Sequence, residues 1–290
     1  MKRPVGPPAS LPATARPAST TRIRRLDVSP SGVRERSDRL VTEEPLEIRV
    51  RHRHTDIPIA VTMRTPGHDF ELATGFLVAE GVVRHHDDVT SIAYCASRPV
   101  EQHYNVVTVD LAAEVTFDPA SVVRNVYTTS SCGVCGKATL DAVRVKGMSE
   151  PADGPALDPE IVRTLPDRLR ASQRIFEATG GLHAAGVFTP DGEALVVRED
   201  VGRHNAVDKA VGHLLMQGRV PATDTVLQVS GRASFEIVQK ALAAGIAVVS
   251  AVSAPSSLAV DLAAEFGMTL VGFSRGESFN VYSGASRLGL

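Results

Sequence analysis

The sequence predicts an α/β protein whose last third is a parallel β-sheet covered by helices. Apolar strands are expected at Thr225–Val229, Ile246–Val252 and Thr269–Phe273. Two helical segments alternate with them, Phe235–Ala244 and Ser257–Phe266, and carry apolar residues about one turn apart. Strands that are apolar on both faces are typical of a parallel sheet with helices packed against it.

A smaller N-terminal unit of mixed α and β structure is expected over residues 26–125. Apolar and polar residues alternate from Leu46 to Arg51 and from Ile57 to Met63, the period of half-buried strands, with a turn at Thr55-Asp56 before the second. The rest of this unit is predicted as a helix closed by Gly81 and two more strands: Phe70–Glu80, Thr90–Cys95 and Tyr104–Leu111.

Residues 126–148 are predicted to be a mobile, cysteine-containing connection, and residues 149–290 the larger α/β domain. A proline-rich linker leads into a helix over Asp158–Thr179, which Pro166 can interrupt. A hairpin then joins Leu182–Phe188 to Ala194–Arg198 through a turn that contains Gly192. An amphipathic helix is expected over Ala206–Met216, before the first strand of the parallel sheet.

Composition excludes several classes of protein. The 290 residues contain 31 Lys+Arg against 33 Asp+Glu and no Trp, which argues against a nucleic-acid partner. The chain has no run of about 18 consecutive apolar residues, so no membrane span is predicted. Three cysteines cannot form a disulfide framework, so a reducing, cytoplasmic location is expected. Residues 1–25 hold five prolines, six basic residues and no acidic one, and are predicted to be a disordered tail.

The most unusual segment is the run Thr128–Lys137, in which Cys132 and Cys135 are separated by two residues. Neighbouring glycines permit a mobile backbone, and Lys137 favours the reactive thiolate. Zinc binding, dithiol redox chemistry and sulfur carriage as a persulfide are all open, as is a purely structural role. A zinc site lacks a second cysteine pair, and the hydroxyl run before the motif is unlike the strand that precedes a thioredoxin-type pair.

A zinc deaminase requires a His-x-Glu motif followed by a cysteine pair. Here His183 is followed by Ala185 in the Glu position, and the cysteine pair precedes the histidine. Deamination is therefore not supported, and no metal ligands are assigned.

Small, polar or cationic residues follow each strand of the predicted parallel sheet. Because the carboxyl ends of parallel strands lie along one edge, these segments are expected to meet there: Ser230–Arg232, Ser253–Pro255 and Ser274–Gly276. Arg203, His204 and Lys209 precede or begin a helix and could contact phosphate at its N-terminus, or could be a helix cap with solvated charges.

Taken together, six segments of the chain resemble the FdhD family of sulfur carrier proteins, which formate dehydrogenase requires. The resemblance runs from about residue 40 to residue 284 and rests on Met63–Gly81, Ser131–Lys137, Thr179–Ala185, Glu199–Lys209, Ser230–Phe235 and Phe273–Gly276.

The resemblance implies a cytidine-deaminase-like, three-layer α/β domain without the deaminase zinc, and a small N-terminal α+β domain. It implies that sulfur passes from a cysteine desulfurase to the molybdenum cofactor, a bis-molybdopterin guanine dinucleotide whose nucleotide part GDP can mimic. The thiols of the family motif match Cys132 and Cys135, with the persulfide on Cys132. The cofactor-binding stretch matches Phe273, Ser274, Arg275, Gly276, Glu277 and Ser278. The implied partners are the desulfurase, the catalytic subunit of formate dehydrogenase and a second copy of the chain.

Overall fold

The computed structural model describes residues 16–95, 104–119, 122, 151 and 154–290. The strands of these residues belong to three sheets, a two-stranded hairpin, a four-stranded sheet and a six-stranded sheet. In chain order they are β1 Thr20–Ser29, β2 Gly32–Val41, β3 Glu44–His52, β4 Thr55–Arg64, β5 Val89–Tyr94, β6 Val106–Leu111, β7 His183–Phe188, β8 Ala194–Asp200, β9 Val226–Val229, β10 Val248–Ala251, β11 Thr269–Arg275 and β12 Ser278–Ser283.

The α-helices of the described residues lie between and beside these strands. They are α1 Asp69–Ala79, α2 Pro159–Ala171, α3 Arg174–Thr179, α4 Arg203–Met216, α5 Phe235–Ala243 and α6 Ser257–Glu265, and short 3-10 helices cover His86–Asp88 and Ala285–Leu288. No helix of the described part is both long and apolar enough to span a bilayer.

The four-stranded sheet has the order β4-β3-β6-β5 and forms the core of the N-terminal unit. Strand β3 confirms the predicted alternation, with Leu46, Ile48 and Val50 buried and their neighbours at least partly exposed. In β4 the prediction was wrong at the end of the strand, where Val61 and Met63 are exposed and Arg64 is buried. The turn between β3 and β4 lies at Arg53-His54, both at positive φ, so the expected turn at Thr55-Asp56 was wrong by two residues. Strand β4 begins at Thr55, two residues before Ile57, where the alternation of apolar residues starts.

The six-stranded sheet has the order β12-β11-β10-β9-β7-β8. Strands β9, β10 and β11 are parallel to one another, as predicted, and the remaining pairs are antiparallel. Helix α2 packs on one face of the sheet, and α4, α5 and α6 pack on the other, which makes three layers.

Two elements of the larger unit differ from the sequence prediction. Pro166 lies inside α2 without ending it, and the break before α3 comes at Ser172-Gln173 instead. Strand β11 extends past Phe273 to Arg275 and turns back into β12, which was not predicted. Strand β12 alternates exposed and half-buried residues at the sheet edge, so it lacks the fully apolar signature of its neighbours.

Helices α1 and α4 join the two units. A Cβ atom built on Gly75 of α1 would lie 1.8 Å from the Asp208 carbonyl oxygen, and one built on Gly212 of α4 would lie 1.8 Å from that of Glu71. Glycine at both positions allows the two backbones to touch. One apolar cluster then runs through both units, from Leu46 in β3 to Leu270 in β11.

The first two strands form a hairpin of residues 20–41, called the arm below. Most of its side chains are exposed; among the described residues β2 packs against α3, and Val41 lies close to Gly181 just after that helix. Residues 20–25 were predicted to belong to a disordered tail, and this was wrong, because they form the first part of β1. Ion pairs such as Arg25–Asp38 connect β1 to β2, although the charged sequence of β1 resembles that of a disordered tail.

Candidate functional site

The carboxyl ends of the three parallel strands lie side by side, as the sequence predicted. The Ser253 amide donates to the Gly231 carbonyl at 3.2 Å, and the Phe273 amide donates to the Ser253 carbonyl at 3.2 Å. Ala233 and Pro255 also form an isolated parallel bridge. The segments after β9 and β10 and the end of β11 therefore form one continuous polar edge, which is called the strand-end site below.

The predicted cofactor stretch is the tight turn between β11 and β12. Phe273 has a φ of 53°, an unusual value for a large side chain, and Gly276 has a φ of 59° that glycine accepts readily. Arg275 to Ser278 are exposed, and the Arg275 guanidinium lies 5.9 Å from the centre of the Phe273 ring. An aromatic face and a cation are thus presented together.

Ser274 points the other way from its exposed neighbours. It is fully buried, and its hydroxyl has no hydrogen-bond partner among the described residues. Ser274 therefore belongs to the foundation of the turn, while Arg275, Gly276, Glu277 and Ser278 form its accessible part.

Ser230 connects the strand-end site to β7. Its hydroxyl accepts a hydrogen bond from the Ala184 amide at 2.8 Å, and its own amide donates to the Ala184 carbonyl. His183 lies beside it, 3.5 Å from where a Cβ on Gly231 would stand. Burial, followed by the nearby Arg203 guanidinium, lowers the pKa of His183, so a neutral imidazole faces the edge. Ala185 is wholly buried in β7 and offers no acid group.

Asp200 fixes the start of α4 next to this edge. It is fully buried and accepts hydrogen bonds from the Thr65 amide, the Gly202 amide and the Asn205 side chain. Its carboxylate also lies 2.6 Å from Nζ of Lys209. Lys209 is 1% exposed, so the expectation that it could contact a phosphate was wrong. Its ammonium group is bound inside the protein, where it donates a hydrogen bond to the Thr65 carbonyl in addition to its contact with Asp200.

His204 lies between α4 and α5. Its Nε2 is 3.3 Å from the Ser234 hydroxyl and 3.7 Å from the Glu236 carboxylate. Burial, with further contributions from Lys240 and Arg203, lowers the pKa of His204 to about 4. This imidazole is therefore neutral at pH 7 and can accept or donate a hydrogen bond without carrying charge.

Several structural polar contacts were missed by sequence reasoning. Arg64 is fully buried and pairs with Asp69 through two nitrogens, and Tyr94 donates to the same carboxylate. Arg198 makes two hydrogen bonds to Glu71 and so links β8 to α1. Arg64 and Glu71 lie in a segment rich in small and acidic residues, and the composition of this segment does not reveal their partners. The fold pairs Arg64 with Asp69, 5 positions away, and Glu71 with Arg198, 127 positions away.

Cys132 and Cys135 lie outside the described residues, as does the whole 126–148 connection whose mobility was predicted. Among the residues that are described, no three His, Cys, Asp or Glu side chains are grouped closely enough to hold a metal ion. The described part of the site is suited to binding a ligand, because it combines an exposed cation, an aromatic ring, a polar backbone edge and a neutral imidazole.

Comparison with known proteins gives one consistent result. The sequence model of the FdhD/NarQ family matches residues 41–289. The chain is 58% identical to the sulfur carrier protein FdhD of Streptomyces coelicolor and 57% identical to that of Streptomyces avermitilis, and each match covers 93% of this chain and 96% of the relative. It is 47% identical to the protein of the same name from Anaeromyxobacter sp. (strain K), over 93% and 98% of the two chains.

A solved structure has the same fold. The crystal structure of a candidate formate dehydrogenase accessory protein from Desulfotalea psychrophila superposes with a TM-score of 0.73 at 23% identity, covering 93% of this chain and 99% of the other. The similarity supports the mixed α/β architecture of both units.

Proposed function

The chain belongs to the FdhD/NarQ family, and on this premise we propose that it is a sulfur carrier protein that serves formate dehydrogenase. The observation that carries the proposal is the identity of 57–58% with proteins of that name along nearly the whole of both chains. The paired thiols Cys132 and Cys135 supply the chemistry that the name requires.

The proposed donor is a cysteine desulfurase that carries a persulfide. The thiolate of Cys132 attacks the outer sulfur of the donor, the sulfur–sulfur bond of the donor breaks, and the donor's thiolate leaves. In the second step the bond between the Cys132 sulfur and the outer sulfur breaks, and both of its electrons stay on Cys132, which regenerates the thiolate. The acceptor supplies the electron pair of the new bond to the transferred sulfur and is thereby oxidised by two electrons. Cys135 is the neighbouring thiol that can resolve a misplaced persulfide.

The proposed acceptor is the bis-molybdopterin guanine dinucleotide cofactor, bound as cargo at the strand-end site. Three features of the site fit a guanine nucleotide. The Phe273 ring offers a face for the purine, and Arg275 offers a charge for the diphosphate. Gly231 leaves space for a ligand at this edge, because even a Cβ atom added to Gly231 would lie 3.5 Å from His183, an ordinary van der Waals distance. The proposed contacts are Phe273, Arg275, Gly276, Glu277 and Ser278, supported from below by Ser274.

Three finer statements belong to the same proposal. The larger unit, with helices on both faces of its sheet, is related to cytidine deaminases but has an alanine where their catalytic Glu would stand. The protein acts in the cytoplasm, where its thiols stay reduced. It works as a homodimer and delivers the loaded cofactor to the catalytic subunit of formate dehydrogenase.

A genetic experiment tests the role of the thiols. A strain that carries only Cys132→Ala should lose formate dehydrogenase activity while the protein accumulates normally. Cys95→Ala is the matched control, since Cys95 follows β5 and lies far along the chain from the motif. Normal dehydrogenase activity with Cys132→Ala would favour the second candidate, a chaperone that binds the cofactor without transferring sulfur.

A further inference from the structure

A groove lies between the two units, next to the strand-end site. It is a cavity of about 320 Å³ between β4, α1, α4 and α5. His204 and Glu236, in the first turns of α4 and α5, line one end of it. His204 also contacts Ser234, which directly precedes α5. Because both helices begin at the strand-end site, this end of the groove lies beside the place where the nucleotide is proposed to bind.

The size and the lining of the groove suit a single flat ring system. Its volume is at the lower end of the range for small-molecule sites, so it has room for one part of the cofactor and not for the whole. Ala60, Val61 and Phe76 supply apolar surface from β4 and α1, whereas α4 and α5 supply the polar groups. An apolar wall that faces a few convergent polar groups is typical of a site that binds a heterocycle.

Asp208 brings a buried carboxylate to the groove. Among the described residues only one of its oxygens, Oδ1, has a hydrogen-bond partner, which is Nζ of Lys240 at 2.6 Å. The second oxygen, Oδ2, can accept hydrogen bonds from a ligand in the groove, and such bonds are stronger in this buried position than at the surface. Asp208 is four residues after His204, about 6 Å further along α4, so a ligand that extends from the strand-end site can reach it.

Lys240 places donors beside this acceptor. One N–H of its ammonium group is bound to Asp208, and the group lies 5.8 Å from the centre of the Phe76 ring. A second N–H is available to an acceptor on a ligand. The matching ligand therefore carries two N–H donors next to a carbonyl oxygen. A 2-amino-4-oxopyrimidine ring has this edge, formed by its amino group, its ring N–H and its carbonyl oxygen, and both guanine and pterin contain such a ring.

We propose that the groove binds the pterin of the cofactor, with the amino group and the ring N–H on Asp208 and the carbonyl oxygen on Lys240. The inference rests on the proposed function, in which the cofactor is the cargo of the strand-end site. The groove is assigned to the pterin because the guanine already has a ring face at Phe273 and a cation at Arg275. The nucleotide and the pterin of one cofactor molecule are then held at adjacent places, which fixes the orientation of the cargo.

Fluorescence anisotropy of 6-hydroxymethylpterin, titrated with the full chain, tests this assignment. The wild-type chain should bind the pterin, and excess GDP should not displace it. Asp208→Asn should weaken pterin binding by about tenfold or more, the value of hydrogen bonds to a charged group. Val61→Trp should also weaken it, because Val61 is 68% exposed at the groove and a larger side chain there occupies the space. The control is Leu290→Trp, which should leave the affinity unchanged, since Leu290 is 71% exposed and lies outside the groove.

Circular dichroism melts show which variants fold, and Val61→Trp alone decides the result if Asp208→Asn unfolds. No pterin binding by the wild-type chain, or unchanged affinity in either folded groove variant, would overturn the proposal. Displacement of the pterin by GDP, together with weaker GDP binding by Asp208→Asn, would assign the groove to guanine and would also overturn it. The GDP affinity of Arg275→Ala and the gain of sulfur on Cys132 test the proposed function separately, so the pterin assignment can fail while that function stands.

Discussion

Asp200 and Lys209 form an ion pair that is almost completely buried, with 2.6 Å between Oδ2 and Nζ, at the point where β8 passes into α4. Both partners also reach Thr65 of the N-terminal unit, through its amide and its carbonyl. The pair thus fixes three things together: the start of α4, the end of β8 and the position of the smaller unit.

Removal of one partner should be costly, because it leaves a buried charge without its counter-charge. We expect Lys209→Met to lower the free energy of unfolding by about 3–5 kcal/mol, measured by urea denaturation. The double variant Asp200→Asn/Lys209→Met should lose less than the sum of the two single losses. A loss below about 1 kcal/mol for Lys209→Met would show that water reaches the pair.

The contact between α1 and α4 should not tolerate a methyl group. Gly75→Ala and Gly212→Ala each place a Cβ 1.8 Å from a backbone oxygen, so the helices must separate, at a cost of about 1–3 kcal/mol or more. Gly231→Ala is the matched control, because its Cβ would be 3.5 Å from the nearest atom. Thermal unfolding followed by circular dichroism should separate the first two variants from the third, and equal melting temperatures would contradict the close approach of the helices.

Acid should weaken the link between the two units at Glu71. Burial alone would raise the pKa of this carboxyl group, but hydrogen bonds and attraction from Arg198 and His68 outweigh it and lower the pKa from 4.5 to about 2. A lowered folded-state pKa stabilises the protein above pH 4.5, and the contribution, up to about 3 kcal/mol, is lost as the pH falls toward 2.

The measurement is the urea midpoint between pH 6 and pH 2. In Glu71→Gln the fall in stability over this window should be shallower than in the wild type. The control is Glu193→Gln, because Glu193 is an exposed residue of the turn before β8 and should leave the slope unchanged. Identical slopes for all three proteins would mean that Glu71 is not held as an anion by its partners.

The sequence did not predict the contacts of Asp200 with Lys209 and of Glu71 with Arg198, although it predicted most of the core elements. Apolar periodicity was sufficient for the helices and strands of the core, since burial itself creates the pattern, as in β9, β10 and α5. The adjacency of the segments after Val229, Ala251 and Phe273 followed from strand order alone. The arm was missed because its strands are exposed and charged, and nothing in their residues shows that Arg25 will form an ion pair with Asp38 across the hairpin.

The candidate site was predictable in part for a similar reason. Arg275 was identified from its position at a strand end and Phe273 from the family resemblance, and the guanidinium of Arg275 lies 5.9 Å from the centre of the Phe273 ring. Lys209 was misjudged, because a lysine near a helix start resembles an anion ligand until its buried partner Asp200 is known. Long-range partners of this kind leave no local signal in the chain.

Guanine nucleotide binding should depend on the β11–β12 turn. Arg275→Ala should weaken GDP binding by about 10- to 150-fold in isothermal titration calorimetry, the value of a hydrogen bond to a charged group. Arg219→Ala is the charge-matched control, because Arg219 is exposed just beyond the other end of α4. Equal GDP affinity for wild type and Arg275→Ala, or tighter binding of ADP than of GDP, would place the nucleotide elsewhere.

The most direct test of the sulfur-carrier role is the mass of the intact chain after incubation with a cysteine desulfurase and cysteine. The wild-type protein and Cys95→Ala should each gain one sulfur, about 32 Da, and a reducing agent should remove it. Cys132→Ala should gain none, because the proposed persulfide has no thiol on which to form. A one-sulfur gain that persists in Cys132→Ala, or no gain in the wild type, would contradict the account.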